Sequence, residues 1–179
     1  MIQLLNMVIR FLTPEDVLLY RELRLSSLQE SPFAFSDSYE DQQSKTITDF
    51  EAEIMSAGSP LERFALGAFS ENRELIGFVK FRRDERTKAR HRASLHSLYV
   101  APAHRGKGIA EQLISELIRI IEPLQGLEQL QLSSIISKTS LIAFYEKFGF
   151  QKLGDILKED LIVNGQYVDA LYMVRYLNR

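Results

Sequence analysis

The sequence predicts an α+β fold: a mixed, mostly antiparallel sheet of about six to seven strands flanked by about four helices, in a single domain spanning residues 1–179. Three observations predict it. Residues 64–69, 75–81 and 93–100 are successive apolar, strand-prone runs with short polar links, the pattern of an antiparallel meander. After Pro102 the apolar residues Ile109, Leu113, Leu117 and Ile120 recur at helical spacing. Strand-like runs then return on either side of a short helical stretch that ends at Gly149.

Each element has a local reason. Residues 7–12 form a short apolar strand, stopped by Thr13-Pro14-Glu15-Asp16, which reads as a helix cap followed by proline at the first helical position. A helix over 14–29 follows, then the loop SPFAFSDSYED. Thr48 is the expected cap of a second helix, which should die at Gly58-Ser59-Pro60. Strands 64–69 and 75–81 are joined by the polar turn 70–74, and the charged segment RRDERTKARHR leads into strand 93–100. The helix that starts near Ile109 is closed by Pro123; residues 127–136 are strand, 140–148 helix, and 150–157 and 167–176 are strands around the turn Asn164-Gly165.

Composition excludes several classes. With 45% hydrophobic and 26% charged residues, this is the balance of a folded globular chain rather than a disordered one. A net charge of -2 disfavours bulk attraction to nucleic acid or anionic lipid. Without a cysteine there is no disulfide, thiolate nucleophile or cysteine-bound metal, which fits a reducing compartment. No apolar run spans a bilayer and the first residues do not read as a signal peptide, so the expected location is cytoplasmic, with no membrane partner.

The segment Arg105-Gly106-Lys107-Gly108-Ile109-Ala110 carries the chemistry. Its spacing is not that of a nucleotide P-loop, and a dinucleotide fingerprint would need glycine where Glu111 stands. It does fit [QR]-x-x-G-x-[GA], a turn whose backbone amides converge on an anion while the next helix adds its positive end. Gly106 and Gly108 allow close approach, Ala110 lets the helix pack near the sheet, and Arg105 and Lys107 add charge suited to a pyrophosphate. A basic turn that merely starts a helix would look the same in isolation. Its context is SLHSLYVAPAHRGKGIAEQLISELI, with LIAFYEKFGF about 40 residues later. Together these segments resemble the GNAT superfamily of acetyl-CoA-dependent N-acetyltransferases, most specifically over residues 93–150.

The resemblance implies an enzyme that moves an acetyl group from acetyl-CoA to a primary amine, with no metal. It implies that the pyrophosphate lies on the amides from Gly106 to Ala110, and that the pantetheine arm runs along Leu98, Tyr99 and Val100. Tyr145 matches the family tyrosine that protonates the leaving thiolate; a phenol near 10 and a thiol near 8.5 make that transfer feasible. The same tyrosine could instead be a packed helix residue. His96 stands where the family often has a glutamate base, and strand alternation would put residues 96, 98 and 100 on one face. Lys138 replaces a common asparagine, and could reach the cofactor or point to water.

The family's acceptor pocket corresponds here to residues 31–41 and the turn 164–167. The aromatics Phe33, Phe35 and Tyr39, with Glu30, Asp37, Glu40 and Asp41, would suit a cationic small-molecule or peptide amine, or else simply plug and solvate a loop. The basic segment 82–92 lies roughly 25 Å from the glycine turn at about 3.3 Å per residue, too far to serve it, and reads as a solvated tip or a site for an acidic partner. A homodimer is compatible with the sequence. The competing readings are a non-catalytic coenzyme A-binding sensor or partner module of the same fold, and a dinucleotide oxidoreductase, which Glu111 disfavours.

Overall fold

The computed structural model describes residues 7–56, 59–135 and 139–177. Among them the chain builds strands β1 (Val8–Phe11), β2 (Arg63–Phe69), β3 (Leu75–Arg83), β4 (Arg92–Val100), β5 (Gln129–Ile135), β6 (Gln151–Lys152), β7 (Leu157–Val163) and β8 (Gln166–Tyr176). The helices are α1 (Val17–Glu30), α2 (Tyr39–Gln43), α3 (Ile47–Ile54), α4 (Ile109–Ile121) and α5 (Thr139–Glu146). The sequence reading is short by one strand and one helix. The run expected as strand 150–157 divides into β6 and β7, and the loop before α3 contains the single turn of α2.

The local signals explain most boundaries. Pro14 starts a 3-10 turn over Pro14–Asp16 that feeds α1, and Asp16 returns to the amide and hydroxyl of Thr13 while holding Arg10 at 2.6 and 2.8 Å. The α3 cap is Thr46, not Thr48: its hydroxyl accepts from the Asp49 amide at 3.2 Å, and Asp49 accepts from the Thr46 amide at 2.8 Å. A capping box needs the acid three residues on, and Thr46 with Asp49 has that spacing. α3 ends at Ile54, and Met55 bridges Phe64; the expected stop at Gly58 lies outside the described residues.

The strands form one sheet in the order β1-β2-β3-β4-β5-β8-β6, with β7 on β8. Every ladder is antiparallel except β4 with β5. Helix α4 covers one face: Ile109, Leu113, Ile114, Leu117, Ile118 and Ile121 are buried against β2, β3 and β4. Each such side chain contributes about 1.5–3 kcal/mol relative to exposure, so this face anchors α4 and the turn before it. α1 and α3 cover the other face through Val17, Tyr20, Phe50 and Ile54. Strands β2 and β3 are therefore buried on both sides, which is why they read as unbroken apolar runs.

Candidate active site

The parallel ladder between β4 and β5 is short. Arg92, Ala93 and Ser94 pair with Gln129, Leu130 and Gln131, and beyond these residues the two strands part. β5 stays on β8 and β4 stays on β3, so the parting opens the middle of the sheet. A cavity of about 880 Å³ lies at this opening, lined by Leu95 to Leu98 of β4 and Leu132 to Ile135 of β5.

Strand β4 also carries a bulge. Phe78 pairs with Tyr99 and Lys80 with His96, which leaves Ser97 and Leu98 opposite Val79; Ser97 takes a positive φ of 54°. The extra residue inverts the alternation. Ala93, Leu95, Leu98 and Val100 pack toward α4, whereas His96, like its cross-strand partner Lys80, faces α1 and α3. The expectation that residues 96, 98 and 100 share one face is thus corrected by a one-residue bulge. Tyr99 turns into the α1 core beside Phe78, with its hydroxyl 3.3 Å from Glu30, so its side chain is directed away from the α4 side where Leu98 and Val100 pack.

At the far end of β4 the chain makes the glycine turn. Gly106 and Gly108 hold φ of 73° and 75°, a left-handed conformation that side-chain-bearing residues rarely adopt. A Cβ built on either would meet nothing within 4 Å, so the space outside the turn is open. Gly108 caps α4, and the first amides of a helix have no acceptor within it. Among the described residues the amides of Gly106, Lys107 and Gly108 also donate to no protein group. The run through Ile109 and Ala110 therefore presents consecutive N–H groups, without a partner among the described residues, next to open space, a fit for a phosphate or diphosphate.

Arg105 is placed differently from its sequence expectation. Its Nε donates to the Val100 carbonyl at 2.9 Å, and Nη1 and Nη2 donate to Glu30 at 3.1 and 2.6 Å. The guanidinium is occupied with tying the turn to the end of β4 and to α1. The Lys107 ammonium, by contrast, is exposed at the turn and donates to the Ala103 carbonyl at 3.2 Å. Lys138 lies outside the described residues.

Tyr145 of α5 lines the cavity from the α4 side, between Phe144 and Phe150. Burial pushes its phenol up to about 12, so it keeps its proton across the physiological range. His96 lines the same cavity from the α1 side, its Nε2 buried without a hydrogen-bond partner among the described residues. Burial, reinforced by the charges of Lys80 and Arg82, pulls the imidazole down to about 4 and leaves it neutral.

Beneath His96 lies a network that sequence reasoning missed. Glu53 of α3 accepts from Tyr20 at 2.8 Å, from Lys80 at 2.8 Å and from Lys45 at 2.7 Å. Burial alone would raise Glu53, but Lys80 and these three hydrogen bonds outweigh it and bring it to about 2. Arg24 of α1 is wholly buried beside Asp37, to which its Nη2 donates, and its guanidinium lies 4.7 Å from the centre of the Phe35 ring. One signal for this network was visible: Lys80 is a lone charge in the apolar run LIGFVKF.

Comparisons with known proteins identify the class. Residues 22–150 match the model of the acetyltransferase (GNAT) family. That span contains the glycine turn, the parted strands and α5. The chain belongs to this family and is an acyltransferase. It is 29% identical over 154 residues to a spermidine N(1)-acetyltransferase of Vibrio cholerae, covering 84% of this chain and 80% of that one. It is 26% identical over 102 residues to an L-amino acid N-acetyltransferase of Escherichia coli, covering 57% of this chain and 62% of that one. In structure it resembles an acetyltransferase of Salmonella typhimurium, solved with its cofactor acetyl-CoA, at a TM-score of 0.76 and 21% identity over 97% of this chain and 95% of that one.

Proposed function

We propose that the protein transfers the acetyl group of acetyl-CoA to a primary amine by direct attack, with Tyr145 as general acid and His96 as general base. The observation that carries this reading is the parting of β4 from β5, which lets one cavity collect Tyr145 from one side of the sheet and His96 from the other. Acetyl-CoA supplies the activated thioester carbonyl. The amides from Gly106 to Ala110 would hold its diphosphate, the part of β4 left unpaired by β5, from Leu98 to Val100, would flank its arm, and Lys138 is a further proposed contact.

The chain's own groups then account for the protons. As the N–C bond forms and the C–S bond breaks, the amine gives up one proton, which His96 Nε2 accepts; the neutral, unpartnered ring is ready to take it. Tyr145 delivers its phenol proton to the departing sulfur and is reprotonated from water. The burial that raises the phenol would also raise a thiol leaving into the same cavity, so the two groups stay matched.

The test is release of free thiol from acetyl-CoA in the presence of a panel of amines. Tyr145→Phe should lower kcat by roughly a hundredfold while leaving the KM for acetyl-CoA within a few-fold. Binding of coenzyme A without thiol release for any amine would point to a sensor instead. Loss of kcat and of coenzyme A binding in equal measure would assign Tyr145 to packing.

A further inference from the structure

We propose that the acceptor is a small amine that also bears a carboxylate, an amino acid in chemical class, and that its carboxylate docks against the basic row Lys80 and Arg82 of β3. The inference rests on the acetyltransferase reading above and concerns the same cavity. Lys80 and Arg82 are two residues apart on one strand and so share the face that looks toward α1 and α3. Both line the cavity, as do Lys45 and Arg63.

The carboxylates on this side are already committed. Asp37 is held by Arg24, Asp49 accepts from Thr46, and Glu53 serves Lys45, Lys80 and Tyr20 at once. Two ammonium groups thus share one carboxylate. Arg63 is paired with Glu85 at 2.7 Å, but Arg82 has no hydrogen bond or ion pair through its side chain to any described residue. Arg24 is already paired with Asp37 and its side chain is fully buried, with no acceptor for Nε and Nη1 among the described residues. Of these cations it is Arg82 that both lines the cavity and is free to take an arriving carboxylate, which matches its guanidinium in charge and shape. Arg24 sits against Phe35 and Asp37, which line the cavity, so its field reaches the space in front of Lys80.

The opposite polarity lies across the opening. Asp160 of β7 also lines the cavity and has no cationic partner among the described residues. Arg82 toward β3 and Asp160 toward β7, each unpaired among the described residues, make a separated pair that a zwitterion complements. A polyamine would bring ammonium groups against Lys80 and Arg82, where like charges repel. Of the acids expected from sequence to attract a cation, Glu30 and Asp37 are neutralised by Arg105 and Arg24, and Glu40 and Asp41 do not line the cavity.

The experiment compares thiol release for matched trios, each an L-amino acid, its carboxamide and its decarboxylated amine, together with spermidine. For the preferred trio the acid should exceed the decarboxylated amine by about tenfold or more in kcat/KM, the gain of one charge-assisted contact. Arg82 is exposed, so Arg82→Gln and Arg82→Glu should fold, which circular dichroism checks. Both should shrink that ratio, mainly through KM for the acid, and Glu should shrink it more. Spermidine or decarboxylated amines turned over as fast as the acids, or a ratio unmoved in both variants, would overturn the proposal and leave acetyl transfer standing. If no amine releases thiol, acetyl transfer itself fails. Calorimetric titration of the trios then decides carboxylate recognition separately: tighter binding of the acid upholds it, and equal or absent binding overturns it.

Discussion

Replacing His96 with glutamine should flatten the acid side of the stability profile. In the unfolded chain this imidazole titrates near 6.5, whereas burial and the neighbouring Lys80 and Arg82 hold it at about 4 in the native protein. Between these values the unfolded state binds a proton that the native state refuses, so stability is fully present above pH 6.5 and is lost as pH falls toward 4. The full gap corresponds to about 3 kcal/mol at 1.36 kcal/mol per tenfold, and about 2 kcal/mol of it is gone by pH 5. Glu53, lowered from 4.5 to about 2, withdraws its contribution at more acid pH, so the two windows separate. The assay is urea unfolding of wild type and His96→Gln at pH 7, 6 and 5, read as the difference between the two proteins. That difference should move by about 2 kcal/mol from pH 7 to pH 5, with wild type losing more. Parallel profiles would show that His96 titrates alike in the folded and unfolded states and would refute the burial argument. The same shift predicts that the acid limb of kcat/KM lies near pH 4 rather than 6.5 if His96 is the base.

Three further outcomes follow from named contacts. Glu53→Gln removes the carboxylate shared by Lys45, Lys80 and Tyr20 and leaves buried Lys80 uncompensated, so it should destabilise by about 3–5 kcal/mol in urea unfolding at pH 7. Gly108→Val places a branched side chain at a φ of 75° in otherwise open space; folding should weaken by about 1–2 kcal/mol, while the KM for acetyl-CoA should rise by about tenfold or more, because the side chain would enter the space proposed for the diphosphate. Arg105→Lys forfeits the two-pronged contact with Glu30 and the bond to the Val100 carbonyl, so the KM for acetyl-CoA should rise several-fold at nearly constant kcat, measured at saturating amine.

The glycine turn and the order of elements were legible because their causes are local. A positive φ at Gly106 and Gly108, a proline at the start of a helix and apolar residues at helical spacing are each written within a few neighbouring positions. The family resemblance rests on the same local features and extends to α5 and Tyr145. The side of the sheet that His96 faces was not legible. Strand alternation has period two, and a single bulge at Ser97, visible only once β4 is laid against β3, reverses it.

By itself the amino-acid sequence determined the α+β architecture, the glycine turn before α4 and the membership of the chain in an acyltransferase family. The tertiary structure alone decided what the charges do. Arg105 meets Glu30 from 75 positions away, Lys80 meets Glu53 from 27, and Arg24 meets Asp37 across the end of α1. Whether a charge is free to bind a ligand depends on which opposite charge the fold brings beside it, and Coulomb attraction acts through space without regard to sequence distance. That is why Glu30 and Asp37, two of the acids that suggested a cationic acceptor, are already paired, and why Arg82, left over on β3, is the basis for proposing an acceptor with a carboxylate.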